Sequence, residues 1–103
     1  MSALDKYMRA ADEVIAIEPM LQEEDFSTYS CEALEFEKNE LSKAWAKYKK
    51  LYEECSLDTM ERKKDIIAVQ TKHPQVRKTY IRCINILSRA KKELPLEKLE
   101  ISN

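Results

Sequence analysis

The chain has 103 residues, 44% of them hydrophobic and 36% charged, with a formal net charge of −1 and not one glycine. That length supports a single hydrophobic core, and the apolar share is too high for a disordered tail. Turns and strand bulges that need positive φ have no low-cost residue here, whereas helices lose nothing without glycine, so the composition disfavours β-rich folds and predicts an all-α one.

Three cysteines, Cys31, Cys55 and Cys83, stand far apart, leave one thiol over in any disulfide scheme and form no CxxC pair. This is the usage of a reducing, intracellular compartment, cytoplasmic or nuclear. No uncharged run exceeds six residues, and Asp5, Lys6 and Arg9 stand where a signal peptide would be apolar. Neither secretion nor a membrane partner is expected. The near-neutral total hides a split. Residues 1–40 hold three Lys/Arg against eleven Asp/Glu, and residues 41–103 hold fifteen against eight. The two parts should attract each other.

In chain order, Ser2 with Asp5 three residues on is a helix start, and Leu4, Tyr7, Met8, Ala11 and Ile15 follow one face. A first helix is predicted over 3–18, stopped by Pro19. "PMLQEEDF" reads as a connector with Met20, Leu21 and Phe26 folded back on the bundle. A second helix is expected from near Ser27 to Cys55, roughly 28 residues and ~42 Å long. Asp58 and Glu61 form another capping box, opening a helix through "TMERKKDIIAVQTK". His73-Pro74 either kinks one long helix or divides two, and a break is the expectation. From Gln75 the pattern resumes as Val76, Tyr80, Cys83, Ile84, Leu87, Ala90 and Leu94, until Pro95. The predicted architecture is an antiparallel three- or four-helix bundle with one long central helix. It forms a single domain over 1–94, with 95–103 as a C-terminal connector or tail.

"KAWAKYKKLYEEC", residues 43–55, interleaves Trp45, Tyr48 and Tyr52 with four lysines, as single-strand nucleic-acid platforms do. Helical geometry decides otherwise: Leu34, Leu41, Trp45, Tyr48 and Tyr52 fall within about 60° of one another, while the lysines mostly fall off that stripe. Exposing the rings would leave the longest helix with almost nothing to bury. The expected interior is therefore Leu34, Leu41, Trp45, Tyr48, Tyr52, Ile67, Tyr80, Ile84 and Leu87, with lysine stems along its rim.

No active site is legible. His73 is the only histidine and is expected in a loop; with Cys55 or Cys83 it supplies at most part of a zinc site, and no ligand pair has finger spacing. Cys55 and Cys83 fall on apolar faces, where a thiol is ordinarily buried and inert. The acidic runs contain no ExxH and no EF-hand glycine. Neither cofactor, metal nor small-molecule substrate is expected. The candidate surface features are for partners. Lys78, Arg82, Arg89 and Lys92 lie within about 80° of one another on the last helix, an ordinary solvated face or a docking strip for phosphate or an acidic helix. Phe36 points away from the Leu34/Leu41/Trp45 stripe, so that another helix covers it or it meets a partner. Ile81 and Ile86 flank the main stripe of the last helix and are the remaining apolar anchors.

"LEFEKNELSKAWAKYKKLYEEC", "DTMERKKDIIAVQ", "VRKTYIRCINILSRAKKEL" and "LPLEKLEIS" together resemble the N-terminal helical region of Gag-like polyproteins from insect Bel/Pao-type LTR retrotransposons. The resemblance covers residues 30–101 and rests on pattern. The spacing between Leu94-Pro95 and Leu99-Glu100 is wider than in that family's connector, and the 103 residues end before any capsid or zinc-knuckle segment. The resemblance implies a structural, self-associating, non-enzymatic fragment and assigns no binding residue. Two function classes follow. One is a helical self-assembly or protein-interaction module, a homo-oligomer or a binder of another helical protein. The other is a nucleic-acid-associated module using the basic face of the last helix. The sequence pI of about 5.9 weighs against the second, because nonspecific nucleic-acid affinity grows with the phosphates neutralised.

Overall fold

A computed structural model describes residues 2–57 and 63–94. They form α1 (Ala3–Glu23), a short 3-10 turn (Phe26–Thr28), α2 (Cys31–Leu57) and α3 (Lys63–Lys92), and no strand occurs among them. The Asp58–Glu61 capping box and the 95–103 tail lie outside the described residues.

Local chemistry sets the helix starts. The Ser2 hydroxyl accepts from the Asp5 amide at 3.1 Å, as expected for the first cap. The second helix begins later than predicted, at Cys31, because the Ser27 amide goes to the Asp25 carboxylate (3.0 Å) and the Tyr29 amide to the Phe26 carbonyl (3.0 Å). Those bonds close a separate turn. Ser30 then caps α2, accepting from the Ala33 amide at 3.0 Å.

Both proline expectations are corrected. α1 runs through Pro19 to Glu23, and α3 runs unbroken through Pro74, which also makes His73 helical rather than a loop residue. Each proline forfeits one backbone bond, from the carbonyl four residues earlier (Ile15 and Gln70). Pro19 and Pro74 are both exposed, so the missing bonds fall on the outer side of each helix, where water can reach the freed carbonyls. Continuing the helices brings returns on the dry side. Leu21, beyond Pro19, is buried, and so is Val76, beyond Pro74.

Contacts fix the directions. Asp12 pairs with Lys72 and Glu18 with Arg82, so α1 and α3 run the same way. Glu13 meets Lys47, and the Cys55 thiol reaches the Ala3 carbonyl, so α2 runs opposite to α1. The result is the predicted antiparallel bundle, with three helices. The attraction between the acidic and basic parts is realised in those three cross-helix pairs.

The interior has two storeys. The upper one gathers Tyr7, Ala10, Ala11, Val14, Tyr48, Cys55, Val69 and Val76; the lower one gathers Leu21, Leu34, Leu41, Cys83, Leu87, Ala90 and Leu94. Tyr80 packs against both. Of the expected interior, Leu34, Leu41, Tyr48 and Leu87 are buried, and Trp45, Tyr52 and Tyr80 are half-buried. Ile67 and Ile84 are corrections: they are 56% and 39% exposed. With three helices, each buries the sector facing the other two, and the apolar stripe of α3 is wider than that sector.

Candidate functional site

Two features stand out from the packing. The first is a polar thread through the upper storey. The Tyr48 hydroxyl, on a fully buried ring, lies 2.8 Å from the Tyr7 hydroxyl and 2.6 Å from Nδ1 of His73. Tyr7 in turn donates to the Val69 carbonyl at 3.4 Å. With Nδ1 protonated, the thread runs in one sense, His73 to Tyr48 to Tyr7 to Val69, and each donor has an acceptor. His73 stacks on Tyr52 with ring centroids 4.0 Å apart and planes at 9°, and Trp45 stacks on Tyr80 at 4.3 Å and 3°. The rings of "KAWAKYKKLYEEC" are thus occupied by one another and by α1 and α3.

Burial pushes the Tyr7 and Tyr48 pKa values up, keeping both phenols neutral. Burial, and then the positive charge of Arg77, pushes that of His73 down. No nucleophile or carboxylate belongs to this thread, and among the described residues no three His, Cys, Asp or Glu side chains group as a metal site. The thread joins all three helices. It is a fastening, in which every hydroxyl is used.

The second feature is a groove between α2 and α3 in the lower storey. Cys31, Leu34 and Leu41 line one side and Tyr80, Ile84 and Leu87 the other, around ≈ 150 Å³. That is about the volume of an apolar cavity that accepts a benzene ring, so it takes one large side chain. Glu35, Lys38 and Lys91 stand on its rim. α1, which caps the opposite side of the lower storey with Ile17 and Leu21, leaves this side uncovered.

The predicted partner residues do not form one surface. Ile81, 43% exposed, lies on α3 one turn before the groove residue Ile84 and on the same side. Ile86 is half-buried against the lower storey, on the flank of α3 that faces α1. Phe36 is 60% exposed but points out from the back of α2, away from the groove-lining Glu35 and Lys38. Arg82 is engaged rather than free: its guanidinium forks onto the Glu18 carboxylate, with Nη2 3.0 Å from Oε1, and that pairing raises its pKa. Lys78, Arg89 and Lys92 are exposed.

Sequence reasoning missed the groove because it assigned Ile84 to the interior. The available signal was the breadth of the α3 stripe, where Ile84 stands about 60° from Leu87, more than one neighbouring helix covers. Among the described residues no helix is long and apolar enough to cross a membrane. No protein-family model, curated protein or solved structure matches the chain.

Proposed function

We propose that the protein is a non-enzymatic helical self-assembly or protein-interaction module of the cell interior, and that the α2/α3 groove is its contact surface. The observation that carries this reading is the groove itself. There Ile84 and the half-buried Cys31 and Tyr80 open as one lined depression over a floor of the buried Leu34, Leu41 and Leu87, next to the exposed Ile81. Single exposed apolar residues are ordinary, but a concave apolar strip with a charged rim is the form of a helix-docking site. A Gag-derived origin, implied by the resemblance of residues 30–101, accords with self-assembly.

Nucleic acid is the weaker reading. α3 carries seven Lys/Arg and no Asp/Glu over 66–92, but Lys72 and Arg82 are already held by α1 carboxylates. Binding to single-stranded RNA should be weak at physiological salt. Tight, steeply salt-dependent binding, lost on neutralising Lys78, Arg82 and Arg89, would favour it instead.

Light scattering from low to high micromolar concentration in low salt tests the main reading. The expected result is a rise in mass that Ile84→Glu abolishes without loss of helix content. A chain that stays monomeric throughout overturns self-assembly.

A further inference from the structure

We infer that the groove is filled by the same groove of a second copy, with the twofold axis running along the helices, so that α2 of each copy lies over α3 of the other. The inference rests on the self-association reading and adds its geometry.

A face-to-face pair of identical surfaces must be related by a twofold axis lying in the interface. For a two-helix face, two directions present themselves. An axis across the helices sets α2 on α2 and α3 on α3. An axis along the helices sets α2 on α3, at the same height.

The charged groups that line the groove are Glu35 and Lys38 on α2 and Lys91 on α3, and α3 over 66–92 holds no carboxylate at all. The across-helix axis sets α3 on α3 and leaves Lys91 facing a wall without a carboxylate. The along-helix axis sets Lys91 on the wall that carries Glu35, and complementary potentials select orientation.

Heights also match. Trp45 stacks on Tyr80 and Tyr52 on His73, so residues of α2 and α3 whose numbers add to the same total share a level. Extended down the groove, this rule sets Glu35 level with Ala90 and so within one residue, about 1.5 Å, of Lys91; Glu35 and Lys91 are both on the rim. Among the described residues, neither closes an ion pair within its own chain. The along-helix axis keeps that level and places Glu35 of each copy against Lys91 of the other, twice per dimer. It also carries Ile84 of the second copy over Leu41, giving the groove its apolar occupant. The four groove helices then form an antiparallel four-helix core with both α1 helices outside.

Charge reversal tests the arrangement, with circular dichroism confirming that each variant folds. Glu35→Lys alone, or Lys91→Glu alone, should raise the dimer dissociation constant about tenfold, since two rim contacts turn repulsive. The double reversal should restore it. In a Cys31→Ser background, Glu35→Cys chains mixed with Lys91→Cys chains should give the mixed disulfide. A wild-type dimer that Glu35→Lys leaves unchanged or tightens, with Glu35→Cys chains crosslinking to themselves, overturns this geometry while self-association stands. A wild-type chain that does not dimerise overturns both.

Discussion

Removing the Tyr48 hydroxyl while keeping its ring tests whether the buried thread holds the helices together. Tyr48→Phe leaves the stacking on Trp45 in place, at 5.3 Å, and deletes the atom that joins Tyr7 to His73. A neutral hydrogen bond contributes about 1 kcal/mol net, and a buried partner left unsatisfied costs about 1–3 kcal/mol. Tyr7 keeps the Val69 carbonyl, and half-buried His73 recovers some hydration, so the expected cost is about 2 kcal/mol. For a domain of this size that lowers Tm by about 8–16 °C. Tyr7→Phe should cost less, about 0.5–1.5 kcal/mol, because the Tyr48 hydroxyl then donates to Nδ1 of His73 in its other tautomer and the long contact to Val69 is an extra acceptance by that carbonyl. The double variant should fall short of the sum by about 1 kcal/mol, since removing both ends of the Tyr7–Tyr48 bond leaves neither hydroxyl unpaired. Urea and thermal denaturation followed by circular dichroism measure all three. Equal single costs, or additivity within about 0.3 kcal/mol, would refute the thread as a coupled unit.

Trp45→Ala should cost about 2–3 kcal/mol, below the ~3–5 kcal/mol of a fully buried aromatic, because half-buried Trp45 loses its stack on Tyr80 but not a sealed site; chemical denaturation reads this. Stability should decline as pH falls below the ordinary histidine value of 6.5, because burial depresses the folded-state pKa of His73 and the unfolded chain then binds the extra proton. Above 6.5 this contribution is complete, below the depressed folded value it is lost, and His73→Phe should flatten the slope in denaturation across pH. Native-state thiol labelling at concentrations where the chain is monomeric should find one ready thiol, Cys31, because Cys55 and Cys83 are buried and burial raises the Cys83 pKa to about 11; denaturant should release the other two.

The helical class, the stripe of α2 and the attraction between the acidic and basic parts were legible in the sequence because each follows from one strong local signal. Leu34, Leu41 and Tyr48 share a face whatever lies opposite. The misjudged positions depend on tertiary context. A proline stops a helix when its freed carbonyl would be buried, and the sequence does not say that Pro19 and Pro74 face water. Ile67 and Ile84 lie on the apolar stripe of α3, but how much of that stripe is covered depends on where α1 sits. Arg82 looked like one of four equivalent cations until Glu18, sixty-four residues away, was brought against it.

The same pairing bears on what the bundle can recognise. α1 places its carboxylates Asp12, Glu13 and Glu18 on Lys72, Lys47 and Arg82, so those three cations are already engaged. Among the described residues, the groove-lining charges Glu35 and Lys38 of α2 and Lys91 of α3 close no ion pair. Glu35 and Lys91 stand on opposite walls. Exposed pairs contribute only ~0–1 kcal/mol each, too little to hold two chains together. Ile84, with the half-buried Cys31 and Tyr80 beside it, must supply the affinity of any such contact, leaving charge to set orientation. A partner seated there therefore needs an apolar ridge with a cation against Glu35 and a carboxylate against Lys91, and the face itself, turned about an axis along the helices, presents that pair.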